Sequence, residues 1–332
     1  MNGVSGTRFD REFAQLREEG YTVLRNALDV DQDVQPLVDE YSRVLDDLIE
    51  SLCSAGKLSH AYVGLTPIER MCAFVADTGK KYFNYLSIFV PFAKIEPNRP
   101  MYLHPAMFNL LRSPRLLDAI EPIIGPEIAV SPFHFARIKP PERRLPPDIQ
   151  NSPNGMISQT VWHQDLWGLE ASADETRLIT VWIPLLPADE ENGCLVVAPG
   201  THRSGALEIH CKPSPSRPHS KGIPEELVPR DRRPVPANPG DIILLDRLVQ
   251  HSSLVNRSNR LRWSCDLRFQ AADQPVGQCG RPAWIARSRT HPEREMADFG
   301  EWRRMWQGII AVQSQQEMPD PTRFAIGDPL CS

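Results

Sequence analysis

From Glu127 onwards the chain is cut into short β-rich runs: "EIAVSPFHFARIKP", "SQTVWHQDLW", "LITVWIPLLP", "GCLVVAPG", "DIILLDRLVQH" and "RLRWSCDLRFQ". Turn signals separate them, at Asn192-Gly193, Pro199-Gly200 and Pro239-Gly240. Thirty-two prolines in 332 residues press the same way, because proline interrupts helices and central strands. Many short strands with this punctuation predict a sandwich or a double-sheet barrel.

The flanks read differently. "FDREFAQLREEG" places Phe9, Phe13 and Leu16 at helical spacing and stops at Gly20. "YTVLRNAL" follows as a short strand. The stretch from Asp33 to Gly56 carries Leu37, Tyr41, Val44, Leu45, Leu48 and Leu52 on one face of an amphipathic helix. Ser113 to Gly125 reads as a shorter helix, with Ser113 at the N-cap and Gly125 at the exit. "PEREMADFGEWRRMWQGIIAV", beyond Arg281, is helical again. The expected organisation is therefore one domain: residues 1–126 mostly helical, 127–275 the β core, and 276–332 a C-terminal helical extension.

Charge and cysteine usage exclude several classes. A net charge of −5 gives no broad electrostatic reason to bind nucleic acid or an anionic membrane. No apolar run approaches the roughly 18 residues of a membrane-spanning helix. The polar start, "MNGVSGTRFDREF", lacks the apolar core of a signal peptide. The seven cysteines are scattered and odd in number, and none forms a Cys-x-x-Cys pair. That argues against a disulfide framework or structural zinc and fits a reducing cytoplasm.

Within "VWHQDLWG", His163 and Asp165 lie two apart. On a strand or its end, side chains two apart share a face, so imidazole and carboxylate converge while Gln164 faces away. The third ligand should come from a strand that passes nearby, and the best candidate is His251, which ends the run "GDIILLDRLVQH". Two histidines and one carboxylate on one face of an octahedral metal leave three adjacent positions open, the arrangement of non-haem Fe(II) oxygenases. A chelating keto acid needs a cation for its remote carboxylate. Arg262 is placed for this if a hairpin sets its strand beside that of His251, and its guanidinium grips a carboxylate through two parallel bonds. Arg260 has the same parity, so spacing leaves both open. Ser253, two after His251, offers a hydroxyl donor.

These pieces carry a family resemblance. "WHQD" (Trp162 to Asp165), "VWIPLLPADEENGCLVVAPGTH" (Val181 to His202), "GDIILL" (Gly240 to Leu245) and "HSSLVNRSNRLRWS" (His251 to Ser264) resemble the phytanoyl-CoA dioxygenase family of Fe(II)/2-oxoglutarate oxygenases. Weaker matches are "GYTVLRNAL" and "IIGPEIAVSPFHFARIKPP", and the likeness spans roughly residues 10 to 270. The resemblance implies a double-stranded β-helix, a jelly roll with helices from both ends packed outside. It implies that His163, Asp165 and His251 hold Fe(II), and that Arg262 rather than Arg260 clamps 2-oxoglutarate. Ser253, Trp182 and Phe135 fall where the family lines the 2-oxoglutarate pocket. With O2 as co-substrate, the implied reaction hydroxylates or desaturates a C–H bond of a small molecule and releases succinate and CO2.

Two other readings stand beside it. One is a catalytically silent jelly-roll binding module. The other is a zinc or nickel enzyme of hydrolytic or isomerising type, in which Arg262 has no task. The sequence does not name the substrate or the oligomeric state. Two proline-rich loops, Lys139 to Gly155 and Lys212 to Pro239, are long enough to border a site mouth and select that substrate.

Overall fold

The computed structural model describes residues 8–150, 155–213 and 221–331. Its helices are α1 (Asp10–Glu19), α2 (Gln35–Ser54), α3 (Pro67–Thr78), α4 (Pro105–Leu111), α5 (Pro114–Ile124) and α6 (Phe299–Gln315). Its strands are β1 (Tyr21–Leu24), β2 (Glu127–Val130), β3 (Phe135–Lys139), β4 (Leu178–Pro184), β5 (Leu195–Ala198), β6 (Arg233–Val235), β7 (Ile242–Asp246), β8 (Gln250–Ser253), β9 (Arg262–Ala271) and β10 (Trp284–Ser288).

Every strand pairing is antiparallel. The larger sheet runs β1-β7-β4-β9-β2-β10, with β3 also paired to β9; the smaller runs β6-β5-β8. The two sheets together make the expected roll. The larger sheet draws β1 from the N-terminal helical part and β10 from beyond residue 275.

Alternation along the strands assigns the two faces. Ile179, Val181 and Ile183 of β4 and Trp263, Cys265, Leu267 and Phe269 of β9 join the helices in one large apolar cluster. Trp182, Ile243 and Leu245 face the other way, against Leu195 and Val197 of the smaller sheet. The helices thus cover the outer face of the larger sheet, as amphipathic α2 requires, and the inner face looks into the roll.

Local chemistry fixes the element ends. Thr66 and Glu69 form a capping box at α3. Gly20 ends α1 at φ +80°, and a Cβ there would lie 2.5 Å from His202 Nδ1. His202 shares a hydrogen bond with the Arg17 carbonyl at 3.1 Å. Ser113 occupies the N-cap of α5, but its hydroxyl donates to Asp33 Oδ1 at 2.7 Å instead of capping the helix.

One expectation is corrected. Cys211 and Cys331, 120 residues apart, are joined by a disulfide, while Cys53, Cys72, Cys194, Cys265 and Cys279 are free. Cysteine count and spacing did not anticipate the pair, because the C-terminal segment folds back to bring the two Cα atoms within 5.2 Å. No helix among the described residues is long and apolar enough to cross a membrane.

Candidate active site

His163 and His251 face each other across an isolated antiparallel bridge, exchanging backbone hydrogen bonds of 3.0 and 2.9 Å. His251 belongs to β8; His163 lies at an irregular strand end, and Asp165 opens a 3₁₀ turn, Asp165–Gly168. Each imidazole is oriented through Nδ1, by the Val161 carbonyl at 2.8 Å and the Val249 carbonyl at 3.1 Å. Both Nε2 atoms are left to face the carboxylate. His163 Nε2 lies 3.7 Å from Asp165 Oδ1, and His251 Nε2 lies 3.9 Å from Oδ2. The ligand atoms of these three buried residues all fall within 4.8 Å of one another. Gln164 points away, donating to the Leu248 carbonyl at 2.8 Å.

Asp165 is held from behind. Arg268 donates to its Oδ1 and Thr180 to its Oδ2. Burial raises the carboxyl pKa, but Arg268 and both histidines outweigh it and hold the group ionised below the usual carboxylate range. Burial and then His251 push the His163 pKa well down, so its ring is neutral, as a metal ligand must be.

Beside this centre lies a buried cationic recess. Arg262 of β9 is fully buried; its Nε donates to the Gly193 carbonyl at 3.1 Å and its Nη1 to Ser264 Oγ at 2.7 Å. The Asn192-Gly193 turn delivers that carbonyl. Gly193 has φ +93°, and a Cβ there would meet the Leu254 carbonyl at 2.6 Å, so only glycine fits. Arg262 Nη2 is buried without a partner. Lys139 pairs with Arg262 in strand register, and its ammonium donates to Ser253 Oγ. Ser253 also accepts the Thr160 N–H at 3.0 Å. Neither Lys139 nor Arg262 has a carboxylate within 4.0 Å among the described residues. Burial lowers both pKa values; the Arg262 and Arg137 charges add to it at Lys139, and the Arg137 charge adds to it at Arg262, whose pKa falls to about 9. Two buried cations with no counter-ion are unfavourable unless an anion joins them.

The donor set therefore fits both expected groups. Three converging N and O donors suit a divalent iron, and the recess suits a small dianion such as 2-oxoglutarate. Trp182 is buried with Arg262 over its ring at 5.7 Å. Arg260 is exposed and paired with Asp189 at 2.7 Å, which removes it from the recess. The hairpin expectation is corrected: β8 lies in the smaller sheet and β9 in the larger, so Arg262 reaches the site across the roll and not from a neighbouring strand.

A cavity of about 1040 Å³ is lined by His163 and Asp165. Phe135 lines it, stacked on Phe89 at 4.8 Å and edge-on to Phe133 at 5.0 Å. Sequence reasoning missed Arg137, Lys139, Thr180, Asp266 and Arg268. Arg137 grips Asp266 Oδ2 through Nε at 2.9 Å and Nη2 at 2.6 Å. The signal was present in "RWSCDLRFQ": Arg262, Ser264, Asp266, Arg268 and Gln270 alternate with apolar residues. Such alternation normally marks a solvated face; here all five are buried.

Comparison with known proteins agrees with this geometry. The family model for phytanoyl-CoA dioxygenase (PhyH) matches residues 16–264. The chain is 32% identical over 133 residues to 1-deoxypentalenic acid 11-beta-hydroxylase of Streptomyces exfoliatus, covering 38% of this chain but only 46% of that protein. It is 23% identical over 299 residues to the peroxisomal phytanoyl-CoA dioxygenase of Mus musculus, covering 88% of this chain and 76% of the relative. A non-heme monooxygenase, ThoJ, solved with nickel, shares the fold at a TM-score of 0.54 and 17% identity, over 91% of this chain and 96% of that one. With three quarters of its length matched by the family model, the chain belongs to the phytanoyl-CoA dioxygenase family of non-haem iron, 2-oxoglutarate-dependent oxygenases.

Proposed function

We propose that this protein hydroxylates an unactivated C–H bond of a small, largely apolar molecule, with His163, Asp165 and His251 holding Fe(II) and the Arg262/Lys139 recess holding 2-oxoglutarate. Desaturation is the variant outcome of the same chemistry. The observation that carries this reading is the pair of buried cations, Arg262 and Lys139, placed beside a His-Asp-His set with no carboxylate of their own. A silent binding module has no use for such a recess, and neither does a hydrolytic metal site.

Bound iron would supply oxidative decarboxylation of 2-oxoglutarate by O2, giving succinate, CO2 and the oxidising equivalent that removes a hydrogen atom from the substrate. The residues do the rest. Arg268 and Thr180 keep Asp165 ionised and fix its rotamer. Arg262, Lys139 and Ser253 fix the carboxylate of the co-substrate. Phe89, Phe133 and Phe135 present an apolar wall that excludes water from the reacting C–H. The name of the Streptomyces relative, a hydroxylase of a small organic acid, supports a small-molecule substrate.

The test is succinate formation from 2-oxoglutarate by the purified chain with Fe(II) and ascorbate. Slow turnover without a prime substrate is expected, abolished in His163→Ala. An iron-loaded wild type that forms no succinate, with or without a metabolite extract, refutes the proposal.

A further inference from the structure

The family match ends at residue 264, yet one side of the cavity is built from chain far beyond it. After α6 the C-terminal segment, residues 316–331, runs back across the mouth of the roll. Met318, Thr322 and Phe324 line the cavity that His163 and Asp165 also line. The segment is fastened along its length. Met318 N–H donates to the Phe92 carbonyl at 3.1 Å, Arg323 N–H to the Trp167 carbonyl at 2.9 Å, and Ala325 N–H to the His210 carbonyl at 2.9 Å. Arg323 also pairs with Asp174 at 2.8 Å and donates to the Leu166 carbonyl at 2.9 Å. Phe324 meets the Trp167 ring edge-on at 5.2 Å, and Trp167 in turn is 6.4 Å from the His163 ring. At the far end, Cys331 is bonded to Cys211, on the loop that places His210 flat against Trp167 at 4.8 Å.

From this we infer that the C-terminal segment is the outer wall of the substrate cavity, that Phe324 and Met318 set the shape of apolar substrate it admits, and that the Cys211–Cys331 disulfide is the clasp holding the wall shut. The inference rests on the cavity being the substrate site. Apart from the disulfide, the links named above are backbone bonds, the Arg323 ion pair and carbonyl bond and the Phe324 ring contact, each worth on the order of 1 kcal/mol. Such an edge opens locally unless something covalent restrains it. A dithiol opens the clasp: the S–S bond takes up two electrons and two protons to give two thiols, and the dithiol closes to its own disulfide. The admitted class has an apolar body, because Phe89, Phe133, Phe135, Trp167, Phe324 and Met318 all line the cavity, and a polar group on it can meet Lys221, Glu317 or Asp320, which line it too.

The test uses the full chain and two readouts that need no turnover. Iodoacetamide should fail to alkylate Cys211 and Cys331 in the native protein until dithiothreitol is added. Trypsin should cut after Arg323 about tenfold faster in reduced wild type and in Cys331→Ser than in the oxidised protein, since cleavage follows the open population. For the wall itself, the apolar probe 1-anilinonaphthalene-8-sulfonate should bind Phe324→Ala with a Kd changed roughly two- to tenfold, the range of one lost aromatic contact. Fe(II) affinity should not change in that variant. Equal cleavage with and without the disulfide overturns the clasp, and an unchanged probe Kd in Phe324→Ala overturns the wall. If His163→Ala loses iron but keeps both readouts, a failure of the oxygenase reading is separated from a failure of this one.

Discussion

At the scale of single residues, the proposed function assigns one set of atoms to a metal and another to an anion. His163→Ala, Asp165→Ala and His251→Ala should each weaken Fe(II) binding sharply and stop succinate formation, because three donors leave none to spare. Titration calorimetry with Fe(II) under anaerobic conditions checks this; a variant with wild-type affinity is not a ligand. Arg262→Ala should spare iron binding and raise the KM for 2-oxoglutarate roughly thirty- to a thousandfold, for the loss of about 2–4 kcal/mol of charged hydrogen bonding. Arg262→Lys should recover only part, since an ammonium lacks the planar fork. Lys139 adds a proton signature. Burial, then Arg262 and Arg137, depress its pKa in the free protein. A bound anion favours the charged form and raises that pKa. Binding 2-oxoglutarate should therefore take up protons at pH values between the free and bound pKa, and affinity should fall as pH rises through the bound one. Calorimetry in buffers of different ionisation enthalpy should show this uptake in wild type and not in Lys139→Met.

At the scale of elements, β9 does most to join fold and site. Its apolar residues anchor the helical layer, and its polar residues are buried in the roll. Asp266 balances Arg137 and lies 3.5 Å from Arg268. Asp266→Ala should destabilise the protein by about 3–5 kcal/mol, the usual result of leaving a buried guanidinium unpaired, whereas Arg137→Met with Asp266→Leu should lose much less. Urea unfolding of the two variants decides it; equal losses would mean the pair is not a unit. The same strand shows what the sequence makes legible. The short-strand rhythm, the turns at Gly193, Gly200 and Gly240, α1, α2 and α6, and the convergence of His163, Asp165 and His251 were all readable, because each is a local pattern or a pair of them. The buried stripe of β3 and β9 was not. Polar alternation looks the same whether it faces water or a lined cavity, and only the second sheet tells them apart. The helices α3 and α4 escaped notice, and the wall of the cavity was sought in the two proline-rich loops. Of these, Gly155 and Lys221 do line the cavity, while residues 151–154 and 214–220 fall outside the described residues. Shortening either loop should impair turnover of the prime substrate and spare Fe(II) and 2-oxoglutarate binding; normal substrate kinetics in both shortened proteins would remove them from the site.

At the scale of the whole molecule, the site is a joint between layers. His251 and Ser253 come from the smaller sheet, Arg262, Arg268 and Lys139 from the larger, and His163 and Asp165 from the connection between β3 and β4. Without ligands this joint holds the Asp165 carboxylate facing two imidazoles and the Lys139 and Arg262 side chains with no carboxylate between them, so it contributes little to cohesion. Fe(II) and 2-oxoglutarate supply the missing charges and tie the two sheets together. Anything that binds only the folded state stabilises it by RT ln(1 + [L]/Kd), about 2.7 kcal/mol at a hundredfold excess over Kd. With an unfolding entropy of about 2 cal/mol/K per residue, a chain of 332 residues should gain roughly 4 °C in Tm for that increment. The two ligands should act together. 2-Oxoglutarate alone should shift the wild type little, because its chelating end needs the metal, and the full shift should appear only with both present. Arg262→Ala should keep the iron-dependent part and lose the rest, while His251→Ala should lose both. Thermal scans monitored by intrinsic fluorescence under anaerobic conditions measure this directly. A full response to 2-oxoglutarate in His251→Ala would show that the recess works without the metal and that the two sheets are not coupled through it.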